Sequence, residues 1–249
     1  MITYLSEAVP VDMADKWYEF SRPDHFWIAR RFKVMHTLIR SWLSGTPSWL
    51  DVGCGSGLLQ SYCRDRYHLD VIGADLNIVA LKLNPSGVKS TYCYDINSRQ
   101  VQLEQTFDIV SAMDVIEHID DEHHFVESLL FHVRPGGQLL INVPALQCCF
   151  SKYDVEAGHK RRYSANDVKR IAKEHNLSII KWSYWGLALI PVLIMRNFIV
   201  HFSERSKVIQ RGFSPSSPFV GRVLGFLASL EILPNHFAGT SLMIVFKKQ

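Results

Sequence analysis

The stretch Trp49-Leu50-Asp51-Val52-Gly53-Cys54-Gly55-Ser56-Gly57 decides how the rest of the chain is read. Apolar Trp49, Leu50 and Val52 suit a short strand covered on both faces. Glycines at 53, 55 and 57 permit positive φ and let a ligand approach bare backbone. Leu58, Leu59 and Tyr62 then recur at helical spacing. A strand, a glycine loop and a helix opening an α/β domain form a seat for an adenosine-containing ligand. A dinucleotide fingerprint counted from Gly53 would put its third glycine at position 58, which is Leu58. The third glycine comes one residue early, and the lysine of a phosphate-binding P-loop is missing from the stretch.

Working outward, strands alternate with helices. Residues 69–75 form a second strand ending in Asp75, about twenty residues past the loop, where an acid accepts hydrogen bonds from ribose hydroxyls. Residues 88–96 are β-branched and aromatic and end at Asp95-Ile96. Residues 107–113 give a fourth strand running into the polar turn Asp114-Val115-Ile116-Glu117-His118. Asp121-Glu122-His123 opens a helix, with acids at its positive end. Arg134-Pro135-Gly136-Gly137 stops it before a fifth strand at 138–144. Ser164, with Asp167 three residues on, reads as a capping box. Residues 177–185 and 241–246 supply the last two strands. This alternation predicts an α/β, doubly wound, Rossmann-like sheet.

D-x-G-x-G-x-G resembles motif I of the class I S-adenosylmethionine-dependent methyltransferases, and R-P-G-G-x-L-L-I resembles the turn and strand that follow in that family. The segment D-x-x-x-G-H-x-R-R-Y-S at 154–164 and H-F-W-x-x-x-R near residue 25 resemble the branch associated with glycosyltransferases and bacterial surface polymers. The resemblance implies seven strands, the last antiparallel between the fifth and sixth. It implies S-adenosyl-L-methionine held by Asp51, Gly53, Gly55, Gly57, Asp75 with neighbouring Leu76, Asp95 with Ile96, Met113 and Arg30. Asp95 would read the adenine amine, and Met113 would pack on adenine or sulfonium.

The core then covers 46–186 and 240–249. Residues 1–45 read as a helical cap, from which Tyr18, Trp27 and Arg30 close over the cofactor, Tyr18 and Trp27 also as substrate contacts; a plain packing role is the alternative. Residues 187–239 read as a greasy helical insertion broken by Pro191, Arg196 and Glu231. It is a lid, an interfacial membrane contact or an oligomer contact, and too interrupted for a span of about 20 apolar residues.

For catalysis, His159 is the first choice of base, because an unperturbed imidazole titrates near neutral pH. His118 competes with it. Tyr163 would orient the nucleophile, and Arg161 or Arg162 would hold an anionic group. The same segment also reads as a basic, solvated loop. Asp114, Glu117 and His118 resemble a metal-binding D/E-x-x-E-H arrangement of quinone-pathway O-methyltransferases, but E-H here is widespread among members without metal, so no metal is assigned.

Composition sets outer bounds. The chain has 249 residues, 47% hydrophobic and 20% charged, which suits one domain with an insertion. A net charge of +3 is too small to argue for nucleic acid. Five cysteines without a C-x-x-C pair give no disulfide framework or zinc site. With early acids at Glu7, Asp12 and Asp15 and no signal-like apolar run, the expectation is cytoplasmic, peripheral on the inner membrane face if the insertion binds lipid. Three functions follow: a methyltransferase for a hydrophobic, lipid-linked or polymer-linked acceptor, through oxygen; a soluble quinone-pathway-like O-methyltransferase; or a non-catalytic membrane-associated scaffold.

Overall fold

A computed structural model describes residues 2–8, 22–84, 90–204, 208–209 and 217–249. Tyr18, offered above as a substrate contact, lies outside these residues, as do Arg205, Lys207 and Arg211.

The chain begins with a short strand, β1 (Ile2–Tyr4). It continues through α1 (Phe26–Ile39), β2 (Trp49–Val52), α2 (Leu58–Tyr67), β3 (Ile72–Asp75), α3 (Ile78–Lys82) and β4 (Thr91–Cys93). The second half runs β5 (Phe107–Met113), α4 (Glu122–His132), β6 (Val133–Pro144), α5 (Lys152–Glu156), α6 (Ala165–Glu174) and β7 (Leu177–Trp185). It closes with α7 (Ile190–His201), α8 (Pro218–Ser229) and β8 (Ser241–Lys248). The strands form one sheet in the order β1-β4-β3-β2-β5-β6-β8-β7. Pairing is parallel except around β8, which runs antiparallel to both β6 and β7.

The doubly wound sheet is as the strand–helix alternation predicts, and the reversed last strand is as the family resemblance implies. The strand count is corrected from seven to eight. β1 pairs with β4 at the sheet edge, Ile2 opposite Thr91 and Tyr4 opposite Cys93. Three residues are too few to show a period of two, so this strand left no pattern to read inside the supposed helical cap.

Alternation along each strand distributes side chains to two cores. Leu50, Val110, Leu139, Ile141 and Ile244 face one way, onto Phe125 and Leu129 of α4 and Ile171 of α6. Their neighbours Trp49, Ile109, Leu140 and Val245 face the other way, onto Ile28, Phe32, Met35 and Leu38 of α1 and Leu59 of α2. The capping box at Ser164 is present: Asp167 accepts from the Ser164 amide at 2.9 Å, opening α6. Between β7 and β8 lie the two insertion helices. Pro191 does not break the apolar run; it sits in the first turn of α7, where its missing N–H costs nothing. α8 lies on α1, where a Cβ added to Gly225 would come 3.5 Å from the Phe26 Cβ. No helix among the described residues is long and apolar enough to cross a membrane.

Candidate functional site

A cavity of about 240 Å³ opens at the carboxyl ends of β2, β5 and β6, bounded by α1, α5 and α7. Open parallel sheets present such a crevice where the strand order reverses, here between β2 and β5.

The glycine loop forms one wall. Gly53 and Gly57 hold φ of 71° and 75°, and the space beside each is filled. A Cβ on Gly53 would stand 2.4 Å from Val115 Cγ2, and one on Gly57 would stand 1.6 Å from Asn84 Oδ1. Gly55 is tied back to the next strand, donating its N–H to Asp75 Oδ2 at 2.8 Å. Cys54 is buried, and burial lifts its thiol well above the usual range, which fits a filler rather than a nucleophile.

Carboxylates line the floor. Asp51 accepts from the Ser111 hydroxyl at 2.6 Å, and that hydroxyl accepts from Trp49 Nε1 at 2.8 Å. Burial pushes the Asp51 carboxyl up to about 7, against the pull of Ser111 and Arg31. Asp114 follows β5 with φ of 61°, a left-handed conformation that a short polar side chain tolerates. It accepts from Arg31 Nη1 at 2.7 Å and Asn142 Nδ2 at 2.8 Å, while Asn142 accepts from Trp185 Nε1 at 2.9 Å. Glu117 is fully buried, and neither of its oxygens has a hydrogen-bond partner among the described residues. Burial first, and the Asp114 charge second, hold it far above the usual carboxylate range.

The opposite wall carries the imidazoles. Buried Asp154 of α5 accepts from Arg162 Nε at 2.8 Å and lies 3.0 Å from His159 Nδ1. Burial would raise the Asp154 carboxyl, but the hydrogen bond from His159 and the Arg162 charge prevail and bring it down to about 2. Asp154 is therefore ionised and accepts the Nδ1 proton, which in the neutral ring makes Nε2 the acceptor. The ring of His118 meets that of His159 edge to face, 4.9 Å between centroids. Burial, then the nearby His159, lowers His118 to about 4, so it is neutral at working pH. Ligand atoms of Glu117, His118 and His159 lie within 4.8 Å of one another.

Of the residues singled out from sequence, Asp51, Gly53, Gly55, Met113, Trp27, His118, His159 and Arg162 line the cavity. Several others do not. Arg30 is corrected: it turns away and donates to the Glu231 carbonyl at 3.0 Å and carboxylate at 3.3 Å, and the arginine that reaches the cavity is Arg31. Tyr163 is corrected too. It is buried in the core with its hydroxyl donating to Glu122 Oε2 at 2.7 Å, out of reach of a nucleophile. Arg161 donates to the carbonyls of Ile119 and Asp120 at 3.0 and 3.2 Å instead of facing the cavity. Arg162 does face it, yet its guanidinium is taken by Asp154 and the Ala145 carbonyl. Asp75 accepts from the amide of Asn77 at 2.8 Å besides that of Gly55, and Leu76 follows it half-buried. Asp95 caps the turn after β4, accepting from the Asn97 amide at 2.9 Å, and Ile96 is in the core.

Sequence reasoning passed over Arg31, Tyr153 and Arg196. Arg196, read as an interruption of the apolar insertion, lines the cavity with its guanidinium carbon 4.2 Å from the centre of the Tyr153 ring. Its position one turn beyond Val192, on the face that also carries Leu193, is the signal that was there to find.

Known proteins resemble this chain at two levels. Residues 24–182, more than half of it, match the methyltransferase domain family. A ubiquinone biosynthesis O-methyltransferase of Rhizobium etli is 35% identical over 97 residues, which cover 37% of this chain and 39% of that protein. One from Proteus mirabilis is 32% identical over 99 residues, covering 37% and 40%. The match thus spans about two fifths of these relatives. A SAM-dependent methyltransferase from Archaeoglobus fulgidus superposes with a TM-score of 0.58 at 19% identity, over 94% of this chain and 100% of that one. A Haemonchus contortus phosphoethanolamine N-methyltransferase, in complex with S-adenosyl-L-methionine, gives 0.54 at 17%, over 88% and 52%. At such identities these two speak for the fold alone. The family match takes in the glycine loop, the carboxylate floor and the Asp154–His159 pair together, and the chain is a member of the methyltransferase domain family.

Proposed function

We propose that this methyltransferase moves the methyl group of S-adenosyl-L-methionine to a hydroxyl oxygen on an acceptor with an apolar body. The observation that carries the reading is the pairing, across one cavity, of a glycine loop above a carboxylate floor with a histidine oriented by a buried, ionised aspartate. The floor suits a cationic donor: Asp51 and Asp114 lie where a sulfonium and an ammonium group would be drawn in, and a pyrophosphate would be repelled. Asp75 and Asp95 stand at the ends of the next two strands of the sheet, with lone pairs left for ribose hydroxyls and an adenine amine. Once bound, the donor supplies a methyl group already activated by its sulfur.

The chain's own part is alignment and a proton. Holding two reactants in near-attack geometry is worth roughly 7–11 kcal/mol. His159 Nε2 takes the hydroxyl proton, and Asp154 fixes the tautomer and stabilises the imidazolium that results. Phe26 and Trp27 of α1 and Leu189, Val192 and Leu193 of the insertion give the acceptor an apolar wall and keep water out. The curated relatives are O-methyltransferases, which supports oxygen as the accepting atom. A quinone-pathway-like phenol and a lipid-linked or polymer-linked alcohol both meet this description.

Glu117 favours a second reading. Its two buried oxygens, without hydrogen bonds among the described residues, join His118 and His159 in a set of hard and borderline donors that would hold a divalent cation and polarise the acceptor hydroxyl. Calorimetry with S-adenosylmethionine, its demethylated product and NAD tests the donor; the first two should bind and NAD should not. A transfer assay with isotope-labelled donor, run on phenolic metabolites and on membrane extracts with and without chelator, tests the acceptor and the cation. Absence of binding by both donor and product sinks the proposal.

A further inference from the structure

α7 and α8 each carry apolar side chains on two opposite sides, which a helix packed on one domain does not need. On α7, Val192, Leu193 and Arg196 face the cavity and Val200 packs on Tyr153. Its other side presents Ile194, Met195, Phe198, Ile199 and Phe202 to solvent, at the three- and four-residue spacing of one stripe. Phe198 and Phe202 are 69% and 74% exposed, with their rings edge to face at 5.3 Å. α8 packs on α1 and on the 187–189 turn that leads into α7. Its outer stripe is Phe219, Val223, Phe226 and Leu230, with Phe219 71% and Phe226 63% exposed. The loop that follows adds Ile232 and Phe237. An uncovered apolar surface of this extent marks an interaction site.

The charges say what covers it. Residues 187–239 hold five cations, Arg196, Arg205, Lys207, Arg211 and Arg222, and two anions, Glu204 and Glu231. Arg196 is half-buried with its guanidinium over the Tyr153 ring, and the Glu231 side chain is buried against Arg30. Arg222 stays exposed beside the α8 stripe, and the sequence joining the two helices contributes Arg205, Lys207 and Arg211 against Glu204. Two copies meeting through this face would bring like charges together across a two-fold axis. An anionic surface meets apolar stripe and cations at once. Twelve residues at about 1.5 Å each make either helix roughly 18 Å long, short of the roughly 30 Å hydrocarbon core, so the helices would lie in the plane of the surface.

We propose that the outer faces of α7 and α8 dock on an anionic lipid bilayer, their phenylalanines at the level of the acyl boundary and Arg222 at the headgroups. Docking there brings the bilayer against the helix whose inner side walls the cavity. The interaction stands apart from the methyl-transfer reading and is measured without it.

The full chain is mixed with vesicles of phosphatidylcholine alone and of phosphatidylcholine with phosphatidylglycerol, and floated through a density gradient. It should rise with the anionic vesicles and about tenfold less with the neutral ones, and high salt should release it. The triple variant Phe198→Ser, Phe202→Ser and Phe226→Ser alters only exposed side chains outside the cavity. It should lose about tenfold in anionic-vesicle recovery with its circular dichroism and donor affinity unchanged. Wild-type protein that stays at the bottom of the anionic gradient overturns the proposal, whether or not it binds the methyl donor. So does a triple variant that floats as wild type does. A dimer in analytical ultracentrifugation that the triple variant converts to monomer overturns it as well, by making the face a seam between copies.

Discussion

The two walls of the cavity are built in different ways. The glycine-loop wall is local: nine consecutive residues, Trp49 to Gly57, supply the strand, the turn and the amides, and the next strand's Asp75 locks the turn. The histidine wall is assembled from a distance. Asp154 and His159 come from the segment after β6, Glu117 and His118 from the turn after β5, Arg31 from α1 and Arg196 from α7. A wall made of neighbouring backbone fixes where a donor lies with few side chains at risk. A wall made of converging side chains can set a proton's position and change its acceptor, because each part belongs to a different element.

The largest effect expected to separate the walls is on rate. His159→Ala should cut turnover by about 10²–10⁴-fold, the range for a lost general base, while donor affinity measured by calorimetry stays within about twofold. His118→Ala, removing an imidazole already lowered to about 4, should cost far less. Equal losses in the two variants would make the imidazoles a single unit and dissolve the assignment.

Stability comes next. The Asp154 carboxyl sits at about 2 against a usual 3.8, so it stabilises the folded state by about 2 kcal/mol above pH 4, an advantage lost as pH falls toward 2. In urea titrations, Asp154→Asn should lose at least about 2 kcal/mol at pH 7 and show a flatter decline between pH 4 and 2. A variant as stable as wild type at pH 7 would show that the histidine wall is not held by this ion pair.

On the other wall the lever is proton linkage. Asp51 is raised to about 7 by burial, and a cationic ligand favours its ionised form. Donor affinity should therefore climb with pH, by at most tenfold per unit below about 7, and level off above it. Calorimetry at pH 6 in buffers of different ionisation enthalpy should register proton release, and Asp51→Asn should abolish the slope. A flat profile would place the donor's charge elsewhere. The smallest effect is at a cap: Asn77 accepts from the amides of Val79 and Ala80 at 3.0 and 3.2 Å, and Asn77→Ala should lower stability by about 1 kcal/mol without touching turnover under saturating donor.

The same contrast explains what the sequence disclosed. The glycine spacing and every strand but β1 are encoded in runs of a few residues, the reversed last strand came only with the family resemblance, and His118 and His159 stood out in two polar segments at the carboxyl end of the sheet. Which of Arg30 and Arg31 enters the cavity is not a local property. Adjacent helical residues point about 100° apart, and only the docking of α1 on β7, β8 and α8 decides between them. Tyr163 misled for a related reason. Its neighbours His159 to Arg162 are polar, but its own partner, Glu122, comes from α4 across the core. Arg196 was hidden by the apolar residues around it, since nothing in the run says that the helix has Tyr153 beneath it.

Arg30 and Arg31 also fasten α1 at two points. Arg30 grips Glu231 beyond α8, with both side chains almost entirely out of solvent, and Arg31 grips Asp114 at the end of β5. Removing one partner of a buried pair costs about 3–5 kcal/mol, so neither grip is lightly released. The helix behaves as a rigid beam pinned at successive residues, one pin in the insertion and the other at the lip of the reaction chamber. Through those two pins, Glu231 of the insertion and Asp114 of the cavity floor hang on neighbouring residues of a single helix.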